Sequence, residues 1–556
     1  MHDLSLEDIP ILVAVRSGCV WTLWCLLNAR VDVNARCADG VSALMVAAQA
    51  GNLRMLQMLL KAGADVEAAL FDGSNALMFA AQNGHAEALS ALLQAGANAA
   101  AVLANGWTAL MVAALYGRAG TAALLLAAGA KADAALPDGS TALLIALEHD
   151  QAAAALALLQ GGAAVNAARD DGWTALMMAA DEGQTMVIHA LLQRGAPTEA
   201  ALPNGATALM IAAEQGHCAT VVALLEGGAH ADAALDNGWT ALKLAIQHGH
   251  TATVLALLQR GANANAGRPD HWTALMLAGR DGHAAVVTAL LAAGAHIEAA
   301  LPDGQTALML AANEGRTAVV VALLAGGANP NAAMNDGWTA LMLAAQNGHT
   351  ATIKALLYAG ADANVALDDG WTALILAAQD GNSATLTALL DAGADVNAAA
   401  AQGWTALMLA ADDRHDAAVT ILLERGANAD AVTAQGQTAL MLAARQGHVD
   451  TAVVLLLGGA TLDASRIDGS AALLPAAGFA DEAAQVLLDA CAIIARRAMR
   501  AMSLADTVGL ARWEGDAGLD LEDAHPAPDF APQAIPVHDA DDPAGADALQ
   551  EAAHLG

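Results

Sequence analysis

A glycine that returns every 33 residues constrains this chain more than any other feature of its sequence. It occurs at Gly40, Gly73, Gly106, Gly139, Gly172, Gly205, Gly238, Gly304, Gly337, Gly370, Gly403, Gly436 and Gly469. His271 takes its place in the one copy that lacks it. A fixed period of this length is the signature of a solenoid, in which each unit packs only on its neighbours.

The repeat divides the 556 residues into four segments. Residues 1–39 form a degenerate first unit without the turn glycine, and we expect them to cap the array. Residues 40–468 hold thirteen regular units, and residues 469–501 form a last unit that caps the other end. Residues 502–556 lose the period and are rich in Asp, Pro and Ala, which is typical of a disordered acidic tail.

One regular unit, residues 337–369, shows what each repeat encodes. Thr339 stands at the N-cap position of a first short helix, which ends at Gly348. A second helix ends at Gly360, where a left-handed residue is expected. Each helix is predicted to carry one narrow apolar stripe, formed by Leu341, Ala344 and Ala345 in the first and by Ile353, Leu356 and Leu357 in the second. Two short, Ala-rich helices bury too little surface to fold alone, so neighbouring units must supply the rest.

The stretch GWTALMLAAQNGHTATIKALLYAGADANV, residues 337–365, resembles the ankyrin repeat, and the resemblance covers about residues 7–501. It implies an all-α repeat solenoid of helix-turn-helix units with short β-hairpin-like fingers and a concave groove that binds proteins. One departure is systematic, because the Pro-Leu-His of the family is Ala-Leu-Met here, as in Ala340, Leu341 and Met342. A thioether thus replaces the histidine that ties neighbouring helices in the family.

Charge and composition narrow the range of partners. The chain has 23 Lys and Arg against 57 Asp and Glu, and its formal charge of −34 repels phosphate backbones, so we expect no nucleic-acid partner. The first residues are acidic where a signal peptide is basic, and Gly, Asn and Pro interrupt the long uncharged stretches. Five scattered Cys form no C-x-x-C pair. These features predict a soluble cytoplasmic or otherwise intracellular protein without a transmembrane segment.

Tryptophan is concentrated at one position of the repeat, directly after the turn glycine. The seven residues at this position are Trp107, Trp173, Trp239, Trp272, Trp338, Trp371 and Trp404. In the ankyrin family this position varies and faces the groove. Two interpretations stay open: the indoles pack against neighbouring fingers, or those of three consecutive units, Trp338, Trp371 and Trp404, form an exposed aromatic row that binds a partner.

Acidic residues flank that row. Asp336 and Asp369 precede turn glycines, while Asp380, Asp412 and Asp413 stand near the ends of first helices. Asp before Gly is also ordinary turn chemistry, and helix-end acids are common on a solvated face. If the indoles and the carboxylates share one groove, they favour Arg and Lys side chains. The hypothesis is a basic peptide or basic protein face bound near residues 336–413.

Histidine and the usual catalytic motifs do not predict a metal site or an enzyme. In seven units one histidine begins the second helix, and stacking sets copies in neighbouring units roughly 8–10 Å apart, too far to share a zinc ion. No phosphate-binding loop, H-E-x-x-H or G-x-S-x-G is present. Nearly every polar group belongs to a repeated series, whereas catalysis needs one unique cluster. We expect no enzymatic activity, cofactor, metal or small-molecule substrate.

The sequence therefore predicts a non-enzymatic scaffold or adaptor for protein–protein interaction. Its groove would present tryptophan and acidic residues to a protein or peptide. The alternative is an architectural or elastic spacer, or a self-associating array, without a specific groove ligand. The partner, the units that bind it and the oligomeric state stay open at this stage.

Overall fold

The computed structural model describes residues 9–266, 272–461 and 485–499. Contacts within the chain divide it into one unit over Met1–Cys491 and another over Ala492–Gly556. Most of the predicted C-terminal capping repeat, residues 469–501, lies outside the described residues, apart from a helix over residues 485–499. The predicted acidic tail, residues 502–556, lies entirely outside them.

Short helices follow one another in pairs, one pair for each repeat. In chain order they are α1 (Pro10–Arg16), α2 (Val20–Asn28), α3 (Ala43–Gln49), α4 (Leu53–Lys61), α5 (Ala76–Asn83), α6 (Ala86–Gln94), α7 (Ala109–Leu115), α8 (Ala119–Ala127), α9 (Ala142–Glu148), α10 (Ala152–Gln160), α11 (Ala175–Asp181), α12 (Thr185–Gln193), α13 (Ala208–Glu214), α14 (Cys218–Glu226), α15 (Ala241–Gln247), α16 (Thr251–Gln259), α17 (Ala274–Asp281), α18 (Ala284–Ala292), α19 (Ala307–Asn313), α20 (Thr317–Ala325), α21 (Ala340–Gln346), α22 (Thr350–Tyr358), α23 (Ala373–Gln379), α24 (Ser383–Asp391), α25 (Ala406–Asp412), α26 (Asp416–Glu424), α27 (Ala439–Arg445) and α28 (Val449–Leu457).

The helices form two layers. Each odd-numbered helix packs on the odd-numbered helices before and after it and on the even-numbered helix of its own repeat. The even-numbered helices pack on one another in the same way. This arrangement confirms the predicted all-α repeat solenoid, in which the core is a continuous seam between the two layers.

Helix boundaries follow the predicted signals. The Thr339 hydroxyl accepts a hydrogen bond from the Met342 backbone N–H at 3.3 Å, which satisfies one free donor of α21. Gly348 and Gly360 follow the two helices of this unit and have φ of 69° and 89°, in the left-handed region that glycine tolerates best. The same signals recur along the array, so local sequence sets where each helix begins and ends.

The prediction of a narrow apolar stripe on the first helix is wrong. In α21 every residue from Ala340 to Ala345 is buried, and only Gln346 at its end is exposed. The reason is the layer arrangement, because α19 and α23 cover two sides of α21 and α22 covers a third. A seven-residue helix surrounded in this way buries almost its whole circumference, and small alanines allow the close approach.

A finger joins each repeat to the next. Isolated antiparallel bridges close the fingers, for example between Ala366 and Thr372 and between Ala399 and Thr405. Adjacent fingers are also linked, because the Ala401 N–H donates to the Asp369 carbonyl oxygen at 2.6 Å. The predicted β-hairpin-like fingers are therefore confirmed, and several are hydrogen-bonded to a neighbouring finger.

A ladder of Asn and Asp side chains ties the connections between units. The Asn331 Oδ1 accepts from the Asp362 N–H at 2.7 Å, and its Nδ2 donates to the Gly360 carbonyl oxygen at 3.1 Å. Asn166 occupies the same place as Asn331, but the residue that corresponds to Asp362 is Pro197, which has no N–H to donate. These side chains serve loop structure, as is usual for Asn and Asp that bond backbone groups.

In several units the histidine directly before the second helix links two units. His217 Nε2 lies 2.8 Å from the Asp181 carbonyl oxygen, so this nitrogen carries the proton and donates it to the unit before. In another unit Arg316 Nε donates to the Arg280 carbonyl oxygen at 3.1 Å. The same contact is made by His85, Arg118, His250, His349 and His415. The position therefore selects a long side chain with an N–H donor.

Replacing His217 by Ala should lower the free energy of unfolding by about 1 kcal/mol, because the Asp181 carbonyl loses its donor. His217→Arg should stay close to the wild type, since arginine makes this bond elsewhere in the array. Urea denaturation, together with hydrogen exchange of the amides in α11 to α14, measures both effects. An arginine variant as unstable as the alanine variant would contradict this role.

Lys243 is a buried cation in the first-helix layer. Its side chain lies in α15, it is 3% exposed, and it replaces the methionine of the neighbouring units, Met210 and Met276. Nζ lies 3.5 Å from the Gly238 carbonyl oxygen, and no described carboxylate pairs with it. Burial lowers the pKa of Lys243 below its ordinary value.

Lys243→Met should raise the free energy of unfolding by about 1–2 kcal/mol near neutral pH, because it removes a poorly satisfied cation from the core. Since the folded-state pKa is lowered, the unfolded chain holds the proton more tightly, and the wild type gains stability as pH rises toward about 10.4. The advantage of methionine should therefore shrink over that range. Denaturation across pH tests this, with exposed Lys354→Met as the control that should change little.

Candidate functional site

The structure places the seven repeated tryptophans at one point of the array, immediately before the capping Thr of an odd-numbered helix. All seven indoles are partly buried, and none is completely shielded from solvent. They are Trp107, Trp173, Trp239, Trp272, Trp338, Trp371 and Trp404. Their side chains thus contribute to packing and also leave surface for a ligand.

The aspartates before the turn glycines accept hydrogen bonds from the backbone of their own turns. The Trp338 N–H donates to Asp336 Oδ1 at 3.4 Å, and the Trp371 N–H donates to Asp369 Oδ1 at the same distance. Asp336 and Asp369 are nonetheless exposed. They stabilise the turns that present the indoles, and their carboxylates also add negative charge beside them.

The acids at the helix ends fall into two groups. Asp412, the last residue of α25, accepts hydrogen bonds from Arg445 Nη2 at 3.3 Å and from Gln446 Nε2 at 3.0 Å. Asp380 and Asp413, one residue beyond α23 and α25, are exposed. Within the described ranges, neither of these two carboxylates makes a side-chain hydrogen bond or an ion pair. Asp380 and Asp413 are therefore the acids available to a ligand.

One internal contact shows that the tryptophan position and the helix end share a surface. The Arg280 guanidinium carbon lies 4.9 Å from the centroid of the Trp272 ring, in cation–π geometry. Two hydrogen bonds to Asp281, at 2.7 and 3.1 Å, hold the guanidinium there. The bond to Asp281, together with the charges of Asp281 and Glu314, raises the pKa of Arg280. The indole and the acids of two units thus act on one cation.

A cavity near the start of the array shows the same adjacency. It has a volume of about 250 Å³, and it is lined by Phe79 and Gln82 of one unit and by Trp107 and Tyr116 of the next. Gln82 Nε2 donates to Tyr116 Oη at 3.2 Å across the two units. Tryptophan and helix-end positions of neighbouring units therefore line one surface. The repeat pattern alone did not predict this cavity. The rarity of Phe and Tyr, with four and two in the whole chain, is the signal that could have pointed to Phe79 and Tyr116.

A second aromatic pair was also missed as a surface feature. Trp21 and Trp24 lie on α2, with ring centroids 5.1 Å apart in a stacked arrangement. They are 70% and 49% exposed, well above the seven repeated tryptophans. Their spacing of three residues on a helix is the signal that predicts a shared face.

The part of the chain that the structure describes contains neither a cluster of metal ligands nor a membrane-spanning helix. No group of three or more His, Cys, Asp or Glu side chains lies close enough there to hold a metal ion. No helix within the same ranges is both long enough and apolar enough to cross a membrane. His85, His217, His250, His349 and His415 are instead engaged in the contacts between units described above.

The chain belongs to the ankyrin repeat family. The model of that family, described as ankyrin repeats in three copies, matches residues 2–69, 67–136, 124–201, 187–268, 209–300, 275–367, 308–400, 341–433 and 398–466. Ankyrin repeats are generally protein–protein interaction modules and are typically non-enzymatic.

The crystal structure of the human ASB11 ankyrin repeat domain is similar to this chain, with 30% identity and a TM-score of 0.36. The match covers 40% of this chain and 98% of that one. No curated protein sequence matches the chain.

Proposed function

We propose that the array is a protein-binding scaffold whose ligand is a basic peptide or a basic face of a protein. The ligand binds the tryptophan–acid surface, which we define as Trp338, Trp371, Trp404, Asp380, Asp412 and Asp413, beside the turn acids Asp336 and Asp369. The observation that carries this proposal is the contact of Arg280 with Trp272 and Asp281, because it shows an indole and a helix-end acid of this array binding one cation.

Charge supports a basic ligand. The formal charge of −34 attracts cations over a distance of about one Debye length and raises the rate of encounter. Asp380 and Asp413 are exposed and keep their carboxylates available, while the partly buried indoles offer flat surfaces to guanidinium and ammonium groups. Long-range attraction and short-range cation–π contact therefore favour the same class of partner.

Three consecutive units make this region more suitable than the other tryptophans. Trp107 and Trp173 each lack a tryptophan at the same position in the adjoining units. Trp239 is followed by Trp272, but Arg280 already covers that ring. Trp338, Trp371 and Trp404 thus form the longest series of consecutive indoles without an internal cation in the described residues. A few such aromatic anchors carry most of the affinity in typical protein interfaces.

Replacing the three anchors together, Trp338→Ala, Trp371→Ala and Trp404→Ala, should weaken binding of a labelled octapeptide of alternating Lys and Arg at least about tenfold. The matched control replaces Trp107, Trp173 and Trp239 by Ala, which changes the same repeat position outside the proposed surface. Fluorescence anisotropy with the full chain measures both affinities. The control variant should remain within about twofold of the wild type.

Salt and sedimentation separate this proposal from its alternatives. Binding should weaken as salt rises, because screening removes the long-range attraction, but the difference between the two triple variants should persist. Equal losses in both variants would mean general attraction by an acidic surface and would overturn the proposed location. Growth of the particle with protein concentration in sedimentation, without saturable peptide binding, would favour a self-associating array instead.

A further inference from the structure

The starting point is the cation that one unit already holds. Arg280 precedes Asp281, the last residue of α17, and its guanidinium lies over Trp272. Asp281 holds two of its nitrogens, and Glu314 of the next unit adds attraction. The arginine is therefore an internal occupant of a site built from one indole and one hydrogen-bonded carboxylate, with a second carboxylate that contributes charge and itself accepts from Asn313 Nδ2 at 3.2 Å.

The same three groups recur 99 residues later without the arginine. Trp272, Asp281 and Glu314 correspond in the repeat to Trp371, Asp380 and Asp413. The residue that corresponds to Arg280 is Gln379, which is exposed and makes no side-chain hydrogen bond among the described residues. Here the indole and Asp380 of one unit and Asp413 of the next are present, but the position of Arg280 holds no cation.

The local backbone is matched as well. Thr273 and Thr372 both cap the helix that follows the indole, through bonds of 3.2 and 3.4 Å to backbone N–H groups. Gly282 and Gly381 both follow the helix-end acid in the left-handed conformation, with φ of 89° and 67°. Indole and acid are therefore nine residues apart in both units, although Asp281 is the last residue of α17 and Asp380 directly follows α23.

Resting on the proposed function, we propose that Trp371, Asp380 and Asp413 form a pocket for one arginine side chain of the partner. The guanidinium lies on the indole face and donates to Asp380, as Arg280 lies over Trp272 and donates to Asp281. The charge of Asp413 adds attraction, as that of Glu314 does for Arg280. The occupant is the planar guanidinium of an arginine that the partner supplies. The ligand arginine thus completes a set of contacts that the chain completes by itself at Trp272.

The two neighbouring indoles lack one member of this set. Beside Trp338 the helix-end position is Asn347, which donates to the Asn313 side chain and the Leu343 carbonyl. Beside Trp404 the acid of the next unit is replaced by Gln446. Arg414, the cation next to Asp413 in the chain, pairs with Asp450 at 3.7 Å instead. The central unit is therefore the one that offers an indole with two uncommitted acids.

Arginine should be preferred to lysine at this pocket. A guanidinium is flat, stacks on an indole and presents several N–H groups in a fixed fork, so it contacts the ring and the Asp380 carboxylate together, through two N–H groups as at Asp281. An ammonium is a compact, strongly hydrated charge that cannot match this geometry. The preference distinguishes the pocket from general attraction by the acidic surface, which depends on charge alone.

The test compares two labelled peptides of equal charge, Ala-Lys-Ala-Arg-Ala-Lys and Ala-Lys-Ala-Lys-Ala-Lys, on the full chain. The arginine peptide should bind about three- to tenfold more tightly to the wild type. Gln379→Arg should remove this preference, because the chain then fills its own pocket as it does at Trp272. Asn313→Arg adds the same charge at the same helix position of a unit with Gln305 in place of tryptophan, and it should keep the preference.

A reciprocal variant and a direct signal complete the experiment. Arg280→Gln should expose Trp272 and create a second arginine-selective site, visible as increased stoichiometry. Fluorine NMR of protein labelled with 5-fluorotryptophan gives the direct signal, and the resonance of Trp371 is the one that is absent from Trp371→Phe. The arginine peptide should shift this resonance. Gln379→Arg should shift that same resonance without any peptide.

Different failures point to different conclusions. Equal affinity for the two peptides, or a Gln379→Arg variant that behaves like Asn313→Arg, would overturn the arginine pocket. The proposed function would still stand if the triple tryptophan variant lost both peptides. If neither peptide bound more tightly to the wild type than to that triple variant, the proposed function would fail, and the pocket with it.

Discussion

Packing of each repeat against its neighbours is the interaction on which the rest of this structure depends. Two short helices of seven to nine residues cannot offset the conformational entropy of their own unit, so the odd and even layers must continue from one unit to the next. The polar contacts between units follow from that requirement. The histidine and asparagine ladders satisfy carbonyl and N–H groups that packing brings close together, and the linked fingers extend the same principle to the surface.

The regular repetition also helps to separate residues that hold the array together from residues that can bind a partner. A contact made in every unit holds the array together, whereas a departure from the pattern distinguishes one place from all others. Arg280 is such a departure, because it puts a cation over an indole that other units leave open. Gln379 is its counterpart, and the pair shows how one substitution at a fixed repeat position turns a binding surface into an internal contact. Lys243 is a departure of another kind, since it places a cation in the core.

How much the sequence could predict depends on the range of the interaction. Thr339 as an N-cap and Gly360 at a left-handed position were predictable, because both are local properties of the backbone. The burial of α21 on nearly all sides was not, since it depends on helices from two other units and on a second layer. The same applies to Asp412, which resembles Asp380 in sequence but is engaged by Arg445 and Gln446 of the following unit.

The sequence by itself determined the period, the helix boundaries, the acidic charge and the single position at which tryptophans recur, because all of these are fixed within one repeat or by composition. Only the tertiary structure decided which indoles carry an internal cation, which acids remain without partners, and where side chains from two units line one cavity. The physical reason is that these properties arise between units, where residues about 33 or more positions apart in the chain come into contact.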